Sequence, residues 1–195
     1  MAEDEEKMYL ALRGRREKIV RPLVAWLAKK RITPDSLSYT GLAMLVPFVY
    51  FFSFHPWIAF VFLLFTKLFD SLDGSLARYL KRDSRRGAFL DVSCDYVAFF
   101  TTFLVFFYFK LFNPFWGALY ILNYAVLEGF VIYGRVSRLT LFPVFNRVIP
   151  NYGCYLVFFI WLISGYNYFD PFLVFVSIYM AVTNFFLFLR VRWSL

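Results

Sequence analysis

Residues 69–95 read FDSLDGSLARYLKRDSRRGAFLDVSCD. The stretch holds four carboxylates beside or inside segments that otherwise carry almost no charge, and these are Asp70, Asp73, Asp91 and Asp95. Ionisable side chains at membrane depth cost free energy and usually mark a functional site. We therefore expect this stretch to form the polar centre of a helical membrane protein.

The spacing of the aspartates predicts two helices whose acidic faces meet. At about 100° per residue, Asp70 and Asp73 share one stripe of the first helix. On the second helix, Gly87, Asp91 and Asp95 recur at intervals of four residues, so they also share a face. Two neighbouring antiparallel helices joined by a short loop can aim all four carboxylates at one cavity.

Four carboxylates in one cavity repel one another strongly unless cations neutralise them. Lys67 and Arg78 are close enough in sequence to pair with two of them. Mg²⁺ or Mn²⁺ neutralises the set more fully, because carboxylate oxygens suit these ions and a substrate phosphate can complete the ligand shell. Gly74 and Ala77 leave space for a ligand to approach the backbone, although close packing of membrane helices also uses such small residues.

The composition places these helices in a bilayer. Of the 195 residues, 61% are hydrophobic and 24% aromatic, and the mean hydropathy is +0.61. A water-soluble domain of this size has no interior large enough for so much apolar surface. The net charge of +8 comes from basic residues beside apolar runs. This arrangement favours lipid headgroups and phosphate substrates over nucleic acid.

Six apolar segments are each long enough to cross the hydrocarbon core as a helix. They lie near residues 36–54, 57–80, 88–112, 114–134, 150–167 and 170–190. Before them, residues 7–32 carry nine Lys and Arg interleaved with aliphatic residues and Trp26. This pattern predicts a basic amphipathic helix at the membrane surface. Thr33 or Asp35 can cap the following helix, and Pro34 suits its first turn.

The expected fold is an all-α polytopic membrane protein with six transmembrane helices preceded by an amphipathic juxtamembrane helix. Residues 1–35 would form a cytoplasmic N-terminal segment, and residues 36–195 a transmembrane domain that holds the aspartates. Short loops rich in Lys and Arg usually face the cytoplasm. Their distribution predicts that both termini and the aspartates lie on the cytoplasmic side of the cell membrane.

Residues 70–95 resemble the signature of the CDP-alcohol phosphotransferase family. They read D-x-x-D-G-x-x-A-R, then eight residues, then G-x-x-x-D-x-x-x-D, and every defining position is filled. Eight fixed residues across 26 positions make this resemblance highly specific. It extends to the chain in outline, because the family has an amphipathic surface helix, six transmembrane helices and an active site open to the cytoplasm. The chain departs from the family at Asp35, where Asn is usual.

The resemblance implies a homodimeric enzyme that uses two Mg²⁺ or Mn²⁺ ions. The metal ligands would be Asp70, Asp73, Asp91 and Asp95. The CDP-binding residues would be Asp70, Asp73, Gly74, Ala77, Arg78 and Gly87. Asp95 would also act as general base and take the proton from the acceptor hydroxyl. The ions would spread the charge on the transferred phosphoryl group, and CMP would be the leaving group.

The favoured reaction transfers a phosphatidyl group from a CDP-linked lipid such as CDP-diacylglycerol to a small alcohol in phospholipid biosynthesis. Glycerol phosphate and inositol phosphate are the favoured acceptors, because arginines cluster at cytoplasmic ends of the later spans. The tentative acceptor-binding residues are Arg135, Arg138 and Arg190, with Arg147 nearby. The same arginines also satisfy the positive-inside rule without any role in binding.

Two other functions stay open at this point. A transferase of the same family can use a soluble CDP-alcohol as donor and a lipid or sugar as acceptor. An intramembrane cation transporter would also place carboxylates at membrane depth. The transporter hypothesis does not explain the fixed spacing between the aspartates and the other signature residues, which are Gly74, Ala77, Arg78 and Gly87. The transferase is therefore favoured.

Overall fold

The structure is a computed structural model that describes residues 17–82, 84–137 and 145–194. Within these ranges the chain forms helices and no strands, which confirms the predicted all-α class. Helix α1 covers residues 17–29. The helices that follow are α2 (Pro34–Ala43), α3 (Leu45–Phe52), α4 (Pro56–Tyr79), α5 (Arg85–Tyr108), α6 (Pro114–Ser137), α7 (Phe145–Ser164) and α8 (Phe169–Ser194).

Helix α2 begins where the sequence predicts a helix start. The Thr33 hydroxyl accepts a hydrogen bond from the Ser36 amide at 3.2 Å, and Pro34 opens the first turn. Proline suits this position because its missing N–H has no helical partner there and its φ is already helical. Of the two predicted capping residues, Thr33 is therefore the cap, and Asp35 lies in the first turn.

Each predicted apolar segment coincides with helix, within a few residues at its ends. The first segment is divided, because α2 ends at Ala43 and α3 begins at Leu45. Pro47 lies four residues after Ala43 and can neither donate to its carbonyl nor avoid a clash with it. The fifth segment was predicted to begin near residue 150, whereas α7 already begins at Phe145. Pro150 lies inside α7, in the second turn, where proline removes a single helical hydrogen bond.

Three helical stretches among the described residues are long and apolar enough to cross a membrane, and they are Arg86–Tyr108, Pro114–Gly134 and Phe169–Arg192. In α7 the apolar stretch Tyr152–Ser164 is shorter. Helix α4 has 24 residues but carries Lys67, Asp70 and Asp73 in its second half. The chain is therefore a membrane protein, and the topology of six spans stays a prediction.

The described helices group into two compact units, one within Ala11–Phe106 and the other within Phe107–Leu195. In the first unit, α2 and α3 both pack along α4. Helix α1 packs there as well, through a cluster of buried aliphatic side chains. The members of this cluster are Val24, Leu27, Leu37, Leu72 and Leu76. One side of the predicted amphipathic helix therefore contacts the protein itself, while Ile19 and Trp26 on another side are exposed.

In the second unit, α8 packs against both α6 and α7. The buried apolar side chains in the first half of α8 recur every three or four residues, as expected for one face of a helix, and they are Phe169, Leu173, Val176 and Met180. Polar groups add bonds between the helices. The Tyr120 hydroxyl donates to the carbonyl of Pro150 at 2.7 Å, and the Asn184 amide donates to the carbonyl of Asn123 at 2.9 Å.

Candidate active site

The turn between α4 and α5 shapes one end of the site. Just after the end of α4, Lys81 has a left-handed φ of 52°. The Arg82 amide donates to the carbonyl of Ala77 at 2.9 Å, which closes the C-terminal turn of the helix. The Ser84 hydroxyl accepts a hydrogen bond from the Gly87 amide at 3.0 Å, so Ser84 caps α5.

A cavity of about 420 Å³, here called the Asp73 cavity, opens beside this turn. It is lined by Thr33, Pro34, Asp35, Ser38, Asp73, Gly74, Ala77, Arg78, Arg82, Ser84, Gly87, Ala88 and Asp91. Six of the eight signature residues are among them. The other two, Asp70 and Asp95, line a much smaller cavity that also reaches Asp73. The fold therefore brings all eight predicted residues around two cavities that share one carboxylate.

Asp73 is the most buried of the four aspartates, with 4% of its surface exposed. Its Oδ2 accepts a hydrogen bond from the Ser38 hydroxyl at 2.5 Å. Its Oδ1 is buried and has no hydrogen-bond partner among the described residues. A carboxylate oxygen buried without a partner is costly. A bound cation would remove this cost, so the position of Asp73 fits the predicted role as a metal ligand.

Ser38 was not predicted as a site residue. It reaches the site because α2 packs closely on α4. Gly41, one turn after Ser38, faces α4 closely. A Cβ at this glycine would lie 3.3 Å from the Cβ of Phe69 and 3.4 Å from the carbonyl oxygen of Thr66. A side chain there would push the helices apart, so Gly41 allows the close approach that brings Ser38 to Asp73.

The ion pairs of Lys67 confirm the prediction that this residue neutralises carboxylates of the site. Its Nζ lies 2.5 Å from Asp95 Oδ1 on α5 and 4.0 Å from Asp70 Oδ2 on its own helix. The ammonium group therefore joins the two helices at the small cavity. This pairing holds Asp95 in place while leaving 49% of its side chain exposed.

Arg78 does not pair with an aspartate of the signature. Its Nε donates to Glu17 Oε1 at 2.7 Å, and its Nη2 donates to Ser75 Oγ at 3.3 Å. Asp91 interacts with Arg78 only as a nearby charge. The expected partner was wrong because α1 packs against the end of α4, and this contact between distant parts of the sequence supplies a nearer carboxylate.

The four aspartates interact as charges but do not form a closed metal cluster. Asp70 lies within electrostatic range of Asp73, Asp91 and Asp95. Among the described residues, however, no group of three or more Asp, Glu, His or Cys side chains is arranged to hold a metal ion. Lys67 instead lies between two of the carboxylates. The roles of the four aspartates as metal ligands stay predictions.

The predicted acceptor-binding residues belong to the second unit. Arg190 on α8 is exposed. Arg138 lies outside the described residues, as do the side chains of Arg135 and Arg147. Glu128 on α6 is buried, with 6% of its surface exposed. An acceptor site at these arginines therefore stays a prediction.

Apolar helices long enough to span a membrane, together with a cavity lined by carboxylates and an arginine from α4 and α5, define a membrane protein with a polar candidate site. Residues 31–189 match the CDP-alcohol phosphatidyltransferase family, and the chain belongs to this family. The match confirms the resemblance drawn from the signature. No solved structure matches the chain significantly.

Three relatives match shorter stretches. An uncharacterized protein of Aquifex aeolicus is 38% identical over 81 residues, which cover 40% of this chain and 41% of that protein. A phosphatidylinositol phosphate synthase of Streptomyces avermitilis is 35% identical over 86 residues, or 42% of this chain and 34% of that protein. The enzyme of the same name from Cutibacterium acnes is 33% identical over 84 residues, with 40% and 39% covered. The chain thus matches less than half the length of each relative.

Proposed function

We propose that the protein transfers a phosphatidyl group from a CDP-linked lipid, such as CDP-diacylglycerol, to a small alcohol and releases CMP in phospholipid biosynthesis. The observation that carries this proposal is the Asp73 cavity, where signature carboxylates, small residues and Arg78 meet. Its volume of about 420 Å³ lies in the range of small-molecule sites. Inositol phosphate is the favoured acceptor, because two relatives are named phosphatidylinositol phosphate synthase. Glycerol phosphate is the other acceptor we consider.

Two Mg²⁺ or Mn²⁺ ions fit the donor set of the site. Asp70, Asp73, Asp91 and Asp95 would hold them, and oxygen ligands are those that these ions prefer. When bound, the ions neutralise the diphosphate of the donor and stabilise CMP as it leaves. The unpartnered Asp73 Oδ1 supports this assignment, because a buried anionic oxygen needs a cation or a donor.

The protein's own groups orient the reactants. Ser38 holds one oxygen of Asp73 and so directs the other. Gly74 and Ala77 line the cavity and leave space for the nucleotide to approach α4. Arg78 brings a positive charge to the same wall, where it favours a diphosphate.

Asp95 completes the reaction as the general base. Its half-exposed carboxylate takes the proton of the acceptor hydroxyl. The acceptor oxygen then forms a bond to the phosphorus of the phosphatidyl group, and the bond from that phosphorus to the CMP oxygen breaks. The electron pair of the broken bond leaves on CMP, so charge and atoms balance without any further reactant.

The proposed topology has six helices across the bilayer. Residues 1–35 form the cytoplasmic segment, residues 36–195 form the catalytic domain, and both termini and the cavity face the cytoplasm. The distribution of Lys and Arg in the short loops supports this orientation. A homodimer is the expected assembly from the family resemblance.

The reaction can be tested with purified protein, CDP-diacylglycerol, Mn²⁺ and a panel of alcohols. We expect CMP release that needs the divalent ion, is fastest with inositol phosphate and stops when EDTA is added. Donors such as CDP-choline, tested with diacylglycerol as acceptor, separate the alternative reaction that uses a soluble CDP-alcohol. Absence of CMP release with every donor and acceptor pair would refute the transferase and leave cation transport to be tested in vesicles.

The tentative acceptor residues can be tested by single replacements with alanine. If Arg135, Arg138 or Arg190 binds the acceptor phosphate, its variant should raise the acceptor KM about 10- to 100-fold, because a hydrogen bond to a charged group contributes roughly 1.5 to 3 kcal/mol. The donor KM should stay unchanged. Lys110→Ala is the matched control, because Lys110 lies at the end of the third predicted span, on the side of the membrane opposite to the loops rich in Lys and Arg. If a variant keeps the normal acceptor KM, its arginine does not bind the acceptor and only satisfies the positive-inside rule.

A further inference from the structure

We propose that Glu17 is a positioning residue that holds the guanidinium of Arg78 at the wall of the Asp73 cavity. Through this contact, donor binding depends on the surface helix α1. The inference rests on the proposed function, since it assigns Arg78 to the binding of the CDP-linked donor. It concerns a residue that lies 53 positions before the signature begins, at Asp70.

The guanidinium of Arg78 is held on two of its nitrogens. Nε donates to Glu17 Oε1 at 2.7 Å, and Nη2 donates to Ser75 Oγ at 3.3 Å. The third nitrogen, Nη1, lies over Gly74, because a Cβ built on this glycine would be 3.3 Å from it. Gly74 lines the Asp73 cavity. The two bonds therefore leave Nη1 beside the space that the donor would occupy.

Arg78 separates two spaces. Besides the Asp73 cavity, it lines a second cavity of about 460 Å³ between α1 and α4, which is also lined by Glu17, Lys18 and Arg21. An arginine side chain has several rotatable bonds and loses roughly 2 kcal/mol of rotamer entropy when it is fixed. Without Glu17, the bond to Ser75 Oγ alone would hold the guanidinium, and the side chain would be free to adopt other rotamers. The bond from Nε to Glu17 favours the rotamer in which Nη1 lies over Gly74, at the wall of the Asp73 cavity.

Helix α1 is itself anchored on α4 near Arg78. Val24 and Leu27 are buried against Leu72 and Leu76, and Leu76 lies two residues before Arg78 on the same helix. This packing brings the carboxylate of Glu17 to the end of α4. The packing of α1 on α4 therefore affects the cavity through the ion pair between Glu17 and Arg78, and no movement of α4 is needed.

The test compares Glu17→Gln with wild type in the full-length purified protein. We expect the Kd for CDP in the presence of Mn²⁺ and the donor KM to rise about three- to tenfold, because the ion pair is partly exposed and its effect is modest. The value of kcat and the acceptor KM should stay unchanged. Lys29→Gln, which removes an exposed charge from α1 away from both cavities, should leave all four quantities unchanged.

A double-mutant cycle with Arg78→Gln distinguishes positioning from a general effect on the fold. If Glu17 acts through Arg78, then Glu17→Gln should weaken CDP binding no further in the Arg78→Gln background. An equal loss in both backgrounds, an unchanged Kd or tighter binding of CDP by Glu17→Gln would each overturn the inference. Wild-type protein that neither binds CDP nor releases CMP would instead contradict the proposed function.

Discussion

Asp95→Asn is expected to lower CMP release by at least about 100-fold, since general bases contribute roughly 10²- to 10⁴-fold to such reactions. The amide has nearly the same shape as the carboxylate but cannot accept the proton of the acceptor hydroxyl. Its oxygen can still accept a hydrogen bond from Lys67, which pairs with Asp95 Oδ1 at 2.5 Å. The measurement is kcat with saturating CDP-diacylglycerol, Mn²⁺ and inositol phosphate.

A loss of fold must be separated from a loss of the base. The melting temperature of Asp95→Asn in detergent should lie close to that of wild type, and CDP should still bind in the presence of Mn²⁺. Substantial turnover by this variant would show that another group takes the proton. A variant that melts early and fails to bind CDP would place Asp95 in the support of the fold instead.

Asp73→Asn is expected to weaken Mn²⁺ binding by at least about tenfold and to lower CMP release by about 100-fold or more. Asp73 is buried and lines both cavities, and its Oδ1 has no hydrogen-bond partner among the described residues. Asparagine keeps the volume and removes the negative charge that would hold the ion. Mn²⁺ binding can be followed by electron paramagnetic resonance of the free ion, independently of turnover.

Asp35→Asn is the matched control, because Asp35 lines the same cavity but lies outside the signature. Asn is the usual residue of the family at this position, so we expect CMP release to change by less than about fivefold, within the range of a substitution that breaks no buried contact. Equal Mn²⁺ affinity in wild type and Asp73→Asn would contradict the metal site at Asp73. Stronger loss in Asp35→Asn than in Asp73→Asn would move the site toward α2.

Local patterns in the sequence predicted much of this protein. The signature between Asp70 and Asp95 predicted the family through its resemblance, and the spacing of its aspartates predicted two helices with acidic faces. Thr33 and Pro34 predicted the start of α2, because capping depends on neighbours within one turn. The apolar segments predicted the positions of the helices, because a run of about 20 apolar residues is itself the pattern of a helix that crosses a membrane.

Local sequence patterns could not predict contacts between residues that are far apart in the chain. Ser38 reaches Asp73 only because Gly41 lets α2 approach α4, and a lone serine gives no signal of its own. The partner of Arg78 is Glu17, which is 61 residues away in the chain. Spacing within one helix favours partners that are three or four residues apart, so it cannot identify a carboxylate from another helix.

The sequence by itself determined the family, the helical class and the set of residues around the cavity, because each depends on composition or on spacing within a few helical turns. The tertiary structure decided which groups these residues contact. Lys67 joins Asp70 and Asp95, Ser38 holds Asp73, and Glu17 holds Arg78. Such pairings depend on how helices pack, and packing is set by the shapes of many side chains together.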